Sequence, residues 1–350
     1  MHVSTRIKTV LLALGSLIAI AIASELALRV FGLGYGLSPH EGDPVLHHVH
    51  PRDYTFVTYS RDEEYPPHEV HYNAEGLVSD PAGGDSNPSP ATYRLAFIGD
   101  SYLAAVEVPF RDSYFGLLKH RARAGVAMNN YGVSSYSPAI YQLQWDRQVA
   151  AFHPSHVFAM FCGNDIRNDE EYARAGVYSS DGTLLAVPDR GAGVLVRHLR
   201  QLYLARTIRR FEQIVRYRLR PKTDDATYVT GGYVEENPKI TEFTSARTLD
   251  LVRKVEQSGA EFVLLVVPSR YRIQHPQESY DTPEYADSWR AWANEHGVRY
   301  LDLRPEFERR AAQGAFPFFE KDVHYNQVGH RIVADQIANS FATLFEPPTP

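Results

Sequence analysis

The sequence predicts an α/β fold in which helices cover both faces of a parallel sheet. From Thr92 onward, short apolar runs alternate with stretches of helical periodicity. The run that ends at Gly99 is continuous, as expected for a strand buried on both faces. The 350-residue chain is 44% hydrophobic, which suffices for one large core. We therefore expect one principal domain with extensions.

The predicted elements follow this alternation in chain order. The strands are residues 94–98, 127–133, 157–161, 262–267 and 299–303. The helices are residues 113–124, 138–152, 241–258, 282–295 and 327–344. The chain divides into an anchor or signal segment at 1–37, an extension packed on the main domain at 38–91, and the main domain at 92–345 with an insertion at about 167–239.

The first forty residues include an apolar segment with a basic flank. Arg6 and Lys8 precede sixteen uncharged residues, and the apolar pattern resumes after Glu25. A membrane helix needs about 20 mostly apolar residues, and its basic flank stays in the cytoplasm. The sequence thus predicts a membrane anchor with the rest of the chain exported, on the periplasmic or extracellular side. The alternative is a signal peptide, because AIA at residues 21–23 resembles a cleavage site that would release a secreted protein.

The extension is rich in Pro, His, Tyr and Gly and shows no helical period. Residues 55–59 and 68–73 predict short strands, and residues 73–76 predict a turn. Three histidines, His47, His48 and His50, invite a metal site. No acidic residue lies at a recognised ligand spacing from them, so we favour a structural role.

Composition limits the partners. The net charge of −6 argues against a nucleic-acid partner, which usually needs a basic face. The single cysteine, Cys162, excludes an internal disulfide framework and a cysteine-based zinc site. Neither the dinucleotide-binding fingerprint nor the P-loop pattern is present. We expect no metal and no cofactor.

The insertion contains a basic amphipathic stretch at residues 195–220. Eight arginines surround an apolar stripe there, against a single acid, Glu212. Such helices can bind an anionic membrane surface or an acidic polymer. The alternative is a helix that docks on the domain and leaves its basic face in solvent.

The stretch YRLAFIGDSYLAAVE, at residues 93–107, predicts a strand, a tight turn and a helix. Ser101 would lie at the carboxyl end of the strand, where open α/β sheets bind their ligands. A serine with its N–H at a helix start can attack a carbonyl and help to hold the oxyanion. A second Gly-Asp-Ser, at residues 84–86, lies in a Pro/Gly/Ser linker with no preceding strand, and we interpret it as a solvated turn.

Three further segments place polar groups at predicted strand ends or before the last helix. Gly132 can turn a backbone N–H towards a pocket, and the Asn164 amide can donate to an oxyanion. Asp322 and His324 can act as an orienting acid and a base. Each has a structural alternative, as turn glycine, helix cap or loop histidine. Together with Ser101 they match a nucleophile, a base, an acid and a three-donor oxyanion hole.

These segments resemble the SGNH or GDSL-type hydrolases. The family's four blocks appear as GDSYL at 99–103, NYGVS at 130–134, GND at 163–165 and DVHYNQVGH at 322–330. HYNAEGL at 71–77 and LLVVPS at 264–269 look like the membrane-anchored bacterial branch. The resemblance implies a flavodoxin-like three-layer α/β/α fold and ester hydrolysis through an acyl-serine.

Carried over by position, the resemblance makes Ser101 the nucleophile, His324 the general base and Asp322 its orienting acid. The N–H groups of Ser101 and Gly132 and the side chain of Asn164 would form the oxyanion hole. Asp100, Asp165 and His330 would support the turns and the loop rather than react.

Three departures from the family's pattern accompany the resemblance. The acid of block five usually stands three residues before the histidine, but here it stands two residues before it. Cys162 takes the first position of block three, where glycine is usual. We expect a buried thiol, and the alternative is a position at the edge of the pocket. Ala105 and Ser135 replace common glycines, which would narrow the pocket.

The sequence therefore predicts an exported serine esterase, tethered to the membrane, that cleaves acyl esters such as O-acetyl groups of envelope carbohydrate. The first alternative is an O-acyltransferase that modifies a secreted polysaccharide, because sequence does not separate water from a sugar hydroxyl as the second nucleophile. The second is a non-catalytic binding module tethered at the membrane.

Overall fold

A computed structural model describes residues 2–31, 39–58, 60, 64–83, 87–189, 202–205, 207–208, 211, 227–230, 233–280 and 283–346. The chain forms two compact units: Met1–Pro39 with Gly191–Lys222, and His40–Arg190 with Thr223–Pro350. The second Gly-Asp-Ser, at 84–86, and most of the predicted basic stretch, at 195–220, lie outside the described residues.

The first unit contains helix α1 (His2–Val30). Its segment Ile7–Val30 is long and apolar enough to cross a membrane, by length and composition. Near the end of α1, the Glu25 carboxylate accepts hydrogen bonds from the backbone N–H groups of Tyr203 (3.1 Å) and Leu204 (2.8 Å). Glu25 also pairs with Arg29 at 2.7 Å. Hydrogen bonds thus join the carboxyl end of α1 to the described part of the insertion.

The second unit has the following elements in chain order: β1 (Glu41–Asp43), β2 (His47–Val49), β3 (Tyr54–Thr58), β4 (His68–Tyr72), β5 (Val78–Ser79), β6 (Tyr93–Gly99), α2 (Ser101–Ala104), α3 (Tyr114–Arg121), β7 (Val126–Asn130), α4 (Pro138–Gln144), β8 (His156–Phe161), α5 (Asp165–Ala175), β9 (Val177–Tyr178), β10 (Leu184–Ala186), β11 (Thr227–Thr230), β12 (Tyr233–Glu236), α6 (Glu242–Gln257), β13 (Glu261–Val266), α7 (Arg270–Gln274), α8 (Tyr285–His296), β14 (Arg299–Leu301), α9 (Arg304–Ala312) and α10 (Gln327–Ser340).

The central sheet has five parallel strands in the order β7-β6-β8-β13-β14. This is the flavodoxin-like order, whose switch point lies between the first and third strands, here β6 and β8. All five predicted strands are present, and the α/β fold is confirmed. The second predicted strand ends earlier than expected, at Asn130, because the chain then turns through Gly132.

Side chains alternate between two cores, one on each face of the sheet. On β6, Ala96 and Ile98 join helices α4, α6 and α8, whereas Leu95 and Phe97 join α3, α9 and α10. The predicted helix at 138–152 is not regular throughout: α4 ends at Gln144, and the chain continues as a π-helical turn, Trp145–Val149, and a 3₁₀ turn, Ala150–Phe152. These layers hold the carboxyl ends of the strands at one open edge.

The extension forms an antiparallel sheet of β3, β4 and β5. The turn before β5 forms as predicted, because the Asn73 side chain accepts from the N–H groups of Glu75 and Leu77. A small core of this sheet includes Ala104, the last residue of α2, and Val106, which lies just beyond that helix. The extension therefore packs against the segment after Ser101.

The histidines of the extension are ring-packed. The His48 ring nitrogen Nε2 lies 2.7 Å from the Ser134 carbonyl oxygen, and His50 stacks on Tyr72 with ring centroids 3.9 Å apart. Burial lowers the pKa of His48 to about 4 and that of His50 to about 3, so both rings are neutral at pH 7.

Candidate active site

Ser101 lies where β6 passes into α2. The Asp100 side chain caps this short helix by accepting from the Tyr102 N–H at 3.0 Å. A Cβ added at Gly99 would lie 2.9 Å from the Met160 carbonyl oxygen and 3.0 Å from the Leu103 Cβ. Only glycine allows this close approach, which brings Ser101 to the end of the strand at the switch point of the sheet.

The structure brings Ser101, His324 and Asp322 into one hydrogen-bonded line. The Ser101 Oγ is 2.8 Å from the His324 Nε2, and the His324 Nδ1 is 2.5 Å from the Asp322 Oδ1. The same Asp322 oxygen accepts from the His324 backbone N–H at 3.0 Å. An aspartate side chain commonly accepts a hydrogen bond from the backbone N–H two residues further on and so forms a local turn. This turn accounts for the spacing of two residues between Asp322 and His324.

Two residues from elsewhere in the chain hold the loop of Asp322 and His324. The Glu64 carboxylate accepts from the N–H groups of Lys321 (2.9 Å) and Asp322 (2.8 Å). The Tyr102 hydroxyl donates to the Val323 carbonyl at 2.8 Å. Sequence reasoning missed Glu64, because it lies in the extension and belongs to no recognised motif.

A second carboxylate lies beside His324. The Glu107 Oε1 is 3.4 Å from the His324 Nδ1, and Glu107 is buried. Burial lowers the pKa of His324, but Glu107 and Asp322 outweigh it and raise the value to about 10. Burial raises the pKa of Glu107 to about 7, against the opposite influence of His324. Sequence reasoning gave Glu107 no role, because no motif pointed to it.

A cavity of about 250 Å³ opens beside Ser101 and His324, and Asn164 contributes to its lining. The Asn164 Nδ2 is 3.4 Å from the Asp100 Oδ2. The Gly132 N–H donates to the Asn130 Oδ1 at 2.9 Å, so it already has a partner. Asn164 thus shares the cavity with Ser101, whereas Gly132 is not among the lining residues.

The lining also includes residues that the sequence did not single out for the site. Arg167, Asn237, Ser269 and Tyr285, which have polar side chains, are among the residues that line this cavity. The Asn237 Oδ1 accepts from the Tyr285 N–H at 2.6 Å, which fixes that side of the cavity. These residues come from separate parts of the chain, so no local pattern could have found them.

Most of the chain that carries these residues matches a known protein family. The profile of the family described as GDSL-like Lipase/Acylhydrolase matches residues 97–332, well over half of the chain. The chain belongs to this family. It is therefore an ester hydrolase, and Ser101, Gly132, Asn164, Asp322 and His324 all lie within the matched range.

Several solved structures resemble this acylhydrolase. An α/β hydrolase enzyme, LAE5, from the metagenome of Lake Arreo in Spain is 18% identical, covers 71% of this chain and 95% of its own, and has a TM-score of 0.41. A catalytic mutant of Axe2, an acetylxylan esterase from Geobacillus stearothermophilus, is 15% identical over 74% and 98%, with a TM-score of 0.42. A G-D-S-L family protein from Veillonella parvula is 14% identical over 72% and 100%, with a TM-score of 0.41. None of the curated proteins that were compared matches the sequence.

The two positions where this acylhydrolase lacks a common glycine have left-handed backbone conformations. Ala105 has φ 55° and Ser135 has φ 66°. This region favours glycine, because a Cβ costs about 1–2 kcal/mol there. Neither residue lines the cavity, so their side chains affect the backbone rather than the width of the pocket.

Cys162 belongs to a buried polar cluster with Asp100 and Asp165. Its Sγ is 2.9 Å from the Asp100 Oδ2, and its N–H donates to the Asp165 Oδ2 at 3.0 Å. The possible ligand atoms of these three residues lie within 4.8 Å of one another, close enough to hold a metal ion. Burial raises the pKa of both Cys162 and Asp165 well above their ordinary values, which favours protonated, hydrogen-bonded groups.

His330 lies in α10 and is buried. Its ring centroid is 5.7 Å from that of Tyr325, directly after His324. Burial lowers the pKa of His330 to about 3, and His324 adds to this effect. The neutral ring therefore packs beneath the loop that carries His324.

Proposed function

We propose that this acylhydrolase is a serine esterase in which Ser101 is the nucleophile, His324 the general base and Asp322 the acid that orients it. The observation that carries the proposal is the line from the Ser101 Oγ to the His324 Nε2 (2.8 Å) and from the His324 Nδ1 to the Asp322 Oδ1 (2.5 Å). A nucleophile bonded to a base, with the base bonded to an acid, is the arrangement that activates a serine.

The reaction would proceed in two halves. As the Ser101 Oγ attacks the ester carbonyl carbon, the His324 Nε2 takes its proton, and the tetrahedral intermediate forms. The Nε2 then returns the proton to the leaving alcohol, and the acyl-serine remains. In the second half, His324 takes a proton from water, the hydroxide attacks the acyl carbonyl, and the acid leaves as Ser101 regains its proton.

The oxyanion would be stabilised by donors from three segments. The Ser101 N–H lies at the start of α2, and the Asn164 side chain lies in the same cavity. The Gly132 N–H would have to share its existing bond to Asn130. Donors that are fixed before the reaction stabilise the developing charge without reorganisation.

The size and lining of the cavity suggest the class of substrate. A volume of about 250 Å³ lies below the usual range of roughly 300–1,000 Å³ for small-molecule sites. It suits a short acyl group such as acetyl. The polar lining from Arg167, Asn237 and Ser269 suits a hydroxyl-rich leaving group. We therefore propose O-acetyl esters of envelope carbohydrate as substrates.

We also propose that α1 is retained as an anchor and that the enzyme acts on the exported side, as in the membrane-anchored branch of the family. Apolar side chains of α1 are exposed, including Leu12 at 72% and Leu17 at 63%, as lipid contact requires. The basic residues Arg6 and Lys8 precede the span, which favours a cytoplasmic amino terminus. Extraction of membranes with alkaline carbonate should leave the protein in the pellet. A mature chain that begins at Ser24 would contradict this proposal.

The central test compares Ser101→Ala with Ser135→Ala in the full chain. Ser101→Ala should abolish hydrolysis of p-nitrophenyl acetate and labelling by a fluorophosphonate, with an unchanged circular dichroism spectrum. Ser135 is exposed and outside the cavity, so Ser135→Ala should keep both. An active Ser101→Ala variant would overturn the assignment. Adding polysaccharide acceptors to the assay tests acyl transfer. If transfer occurs, acetylated polysaccharide should form and the amount of free acetate released should fall.

A further inference from the structure

Two carboxylates face the same ring nitrogen of His324. The Asp322 Oδ1 lies 2.5 Å from Nδ1, and the Glu107 Oε1 lies 3.4 Å from it. Glu107 is 7% exposed, and its other oxygen, Oε2, is buried with no hydrogen-bond partner in the described part of the chain. A single acid suffices to orient a catalytic histidine, so the second one requires an explanation.

The backbone holds Glu107 firmly in this place. The left-handed conformation of Ala105 ends α2 and turns the chain back. Val106 and Val108 on either side are buried, and the Val106 carbonyl oxygen lies 3.1 Å from the His68 Nε2 in β4. The position of Glu107 therefore depends on packing with the extension.

A buried carboxylate is costly unless an opposite charge or hydrogen bonds compensate it. The charged side chains that act most strongly on Glu107 are His324, Asp322 and Asp100. Only His324 among them can carry a positive charge. The placement of Glu107 is thus favourable when the ring is an imidazolium and unfavourable when it is neutral.

We propose that Glu107 is a positioning residue that acts with Asp322 to stabilise the imidazolium form of His324. This inference rests on the proposed function of Ser101 and His324. During attack, the proton leaves the Ser101 Oγ for the His324 Nε2, and the ring gains its positive charge beside both carboxylates. The proton then passes to the leaving alcohol.

The same interaction sets the pH at which His324 becomes a base. In the free enzyme, the negative charge of Glu107 makes the ring harder to deprotonate, so the acid limb of kcat/KM lies at higher pH than with Asp322 alone. The pKa of His324, which burial lowers but Glu107 and Asp322 together raise to about 10, has this direction. Burial raises the pKa of Glu107 itself to about 7, and the charge of His324 opposes that rise. Because the two groups interact strongly, they titrate as a pair.

The test uses Glu107→Gln, which keeps the shape of the side chain and removes its charge. The full chain is labelled with ¹⁵N-histidine in detergent micelles, and the signals of His324 are assigned by comparison with His324→Gln. We expect the pKa of His324 to fall by about one unit or more, as for loss of a charge within hydrogen-bonding range. Glu107→Asp retains a carboxylate, so the pKa of His324 in this variant should lie between the values of the wild type and Glu107→Gln.

Kinetics provide a second measurement. With p-nitrophenyl acetate, the acid limb of kcat/KM should move to lower pH in Glu107→Gln, and the plateau of kcat should fall about three- to tenfold, because the imidazolium loses a stabilising charge. Asp169→Asn is the matched control. Asp169 is also a buried carboxylate, but it caps α4 through Ser137 and Ala139, so its loss should leave the acid limb unchanged.

An unchanged titration of His324 in Glu107→Gln would overturn the proposal, even if the variant were less stable. If Glu107→Gln does not fold, the wild-type chain decides the question, since a His324 that titrates at or below its ordinary value of about 6.5 would overturn it. The titration needs no activity. A wild-type protein that neither hydrolyses the ester nor reacts with a fluorophosphonate would therefore refute the proposed function separately.

Discussion

Asp322 bonds to His324 twice through a single oxygen, at 3.0 Å to the backbone N–H and at 2.5 Å to the ring Nδ1. The first bond shapes the loop, and the second fixes the direction of the ring and its tautomer. A spacing of two residues therefore combines a turn and an acid in one side chain.

Asp322→Asn should lower kcat/KM for p-nitrophenyl acetate by at least about a hundredfold, because an amide favours the wrong tautomer of the ring. The amide oxygen can still accept from the backbone N–H, so the melting temperature should change little. Stopped-flow and steady-state assays with parallel thermal melts measure both effects. A loss of activity that merely follows unfolding would contradict this prediction.

Glu64→Gln should weaken catalysis without touching the Ser101 to His324 line. Its carboxylate accepts two backbone N–H groups at Lys321 and Asp322, and bonds to charged groups contribute about 1.5–3 kcal/mol each. Because the neutral amide oxygen of Gln can still accept a hydrogen bond, but a weaker one, we expect a net loss of about 1–3 kcal/mol in unfolding free energy and a lower kcat. Glu69→Gln, on the exposed face of β4, is the control and should change neither quantity in urea titrations and ester assays.

Ser135→Gly should stabilise the fold. Ser135 is exposed and has φ 66°, so replacing it with glycine relieves a left-handed strain of about 1–2 kcal/mol. Part of this gain is offset because glycine has more backbone entropy in the unfolded chain. A net gain of about 0.5–1 kcal/mol is expected in thermal melts. Gly76→Ala should have the opposite sign, because φ there is 78° and the new Cβ would lie 2.9 Å from the His50 carbonyl oxygen. Equal melting temperatures in all three proteins would refute the strain.

Acid should destabilise the fold through His50. Burial lowers its pKa from 6.5 to about 3, so the unfolded chain binds a proton that the folded chain does not. Stability is thus full above pH 6.5 and falls as the pH decreases towards 3, by about 1.4 kcal/mol per pH unit for one proton. His50→Phe should reduce the dependence of the unfolding free energy on pH by the equivalent of one bound proton. Urea titrations between pH 4 and 6 measure this dependence. The control is His120→Gln, which replaces an exposed histidine; an equal change of slope in both variants would contradict the prediction.

The sequence was informative where chemistry and local structure coincide. Ser101 follows an apolar strand and a glycine, and His324 follows its acid within one loop, so both could be recognised from short segments. Glu64 and Glu107 could not, because their roles depend on contacts with distant residues and on the left-handed turn at Ala105. The sequence predicts one continuous helix at 138–152, because its apolar pattern does not reveal that the chain changes to π-helical and 3₁₀ turns after Gln144.

The clamp that Glu64 forms on Lys321 and Asp322 has a practical consequence for anyone shortening this enzyme. A version that starts at Thr92 would keep all four family blocks and the whole central sheet, and yet it would lack the carboxylate that secures the histidine loop. By its sequence motifs, such a shortened chain would still be recognised as an acylhydrolase. Its kcat, however, should be low. Truncations meant to remain active should therefore begin before Ser60.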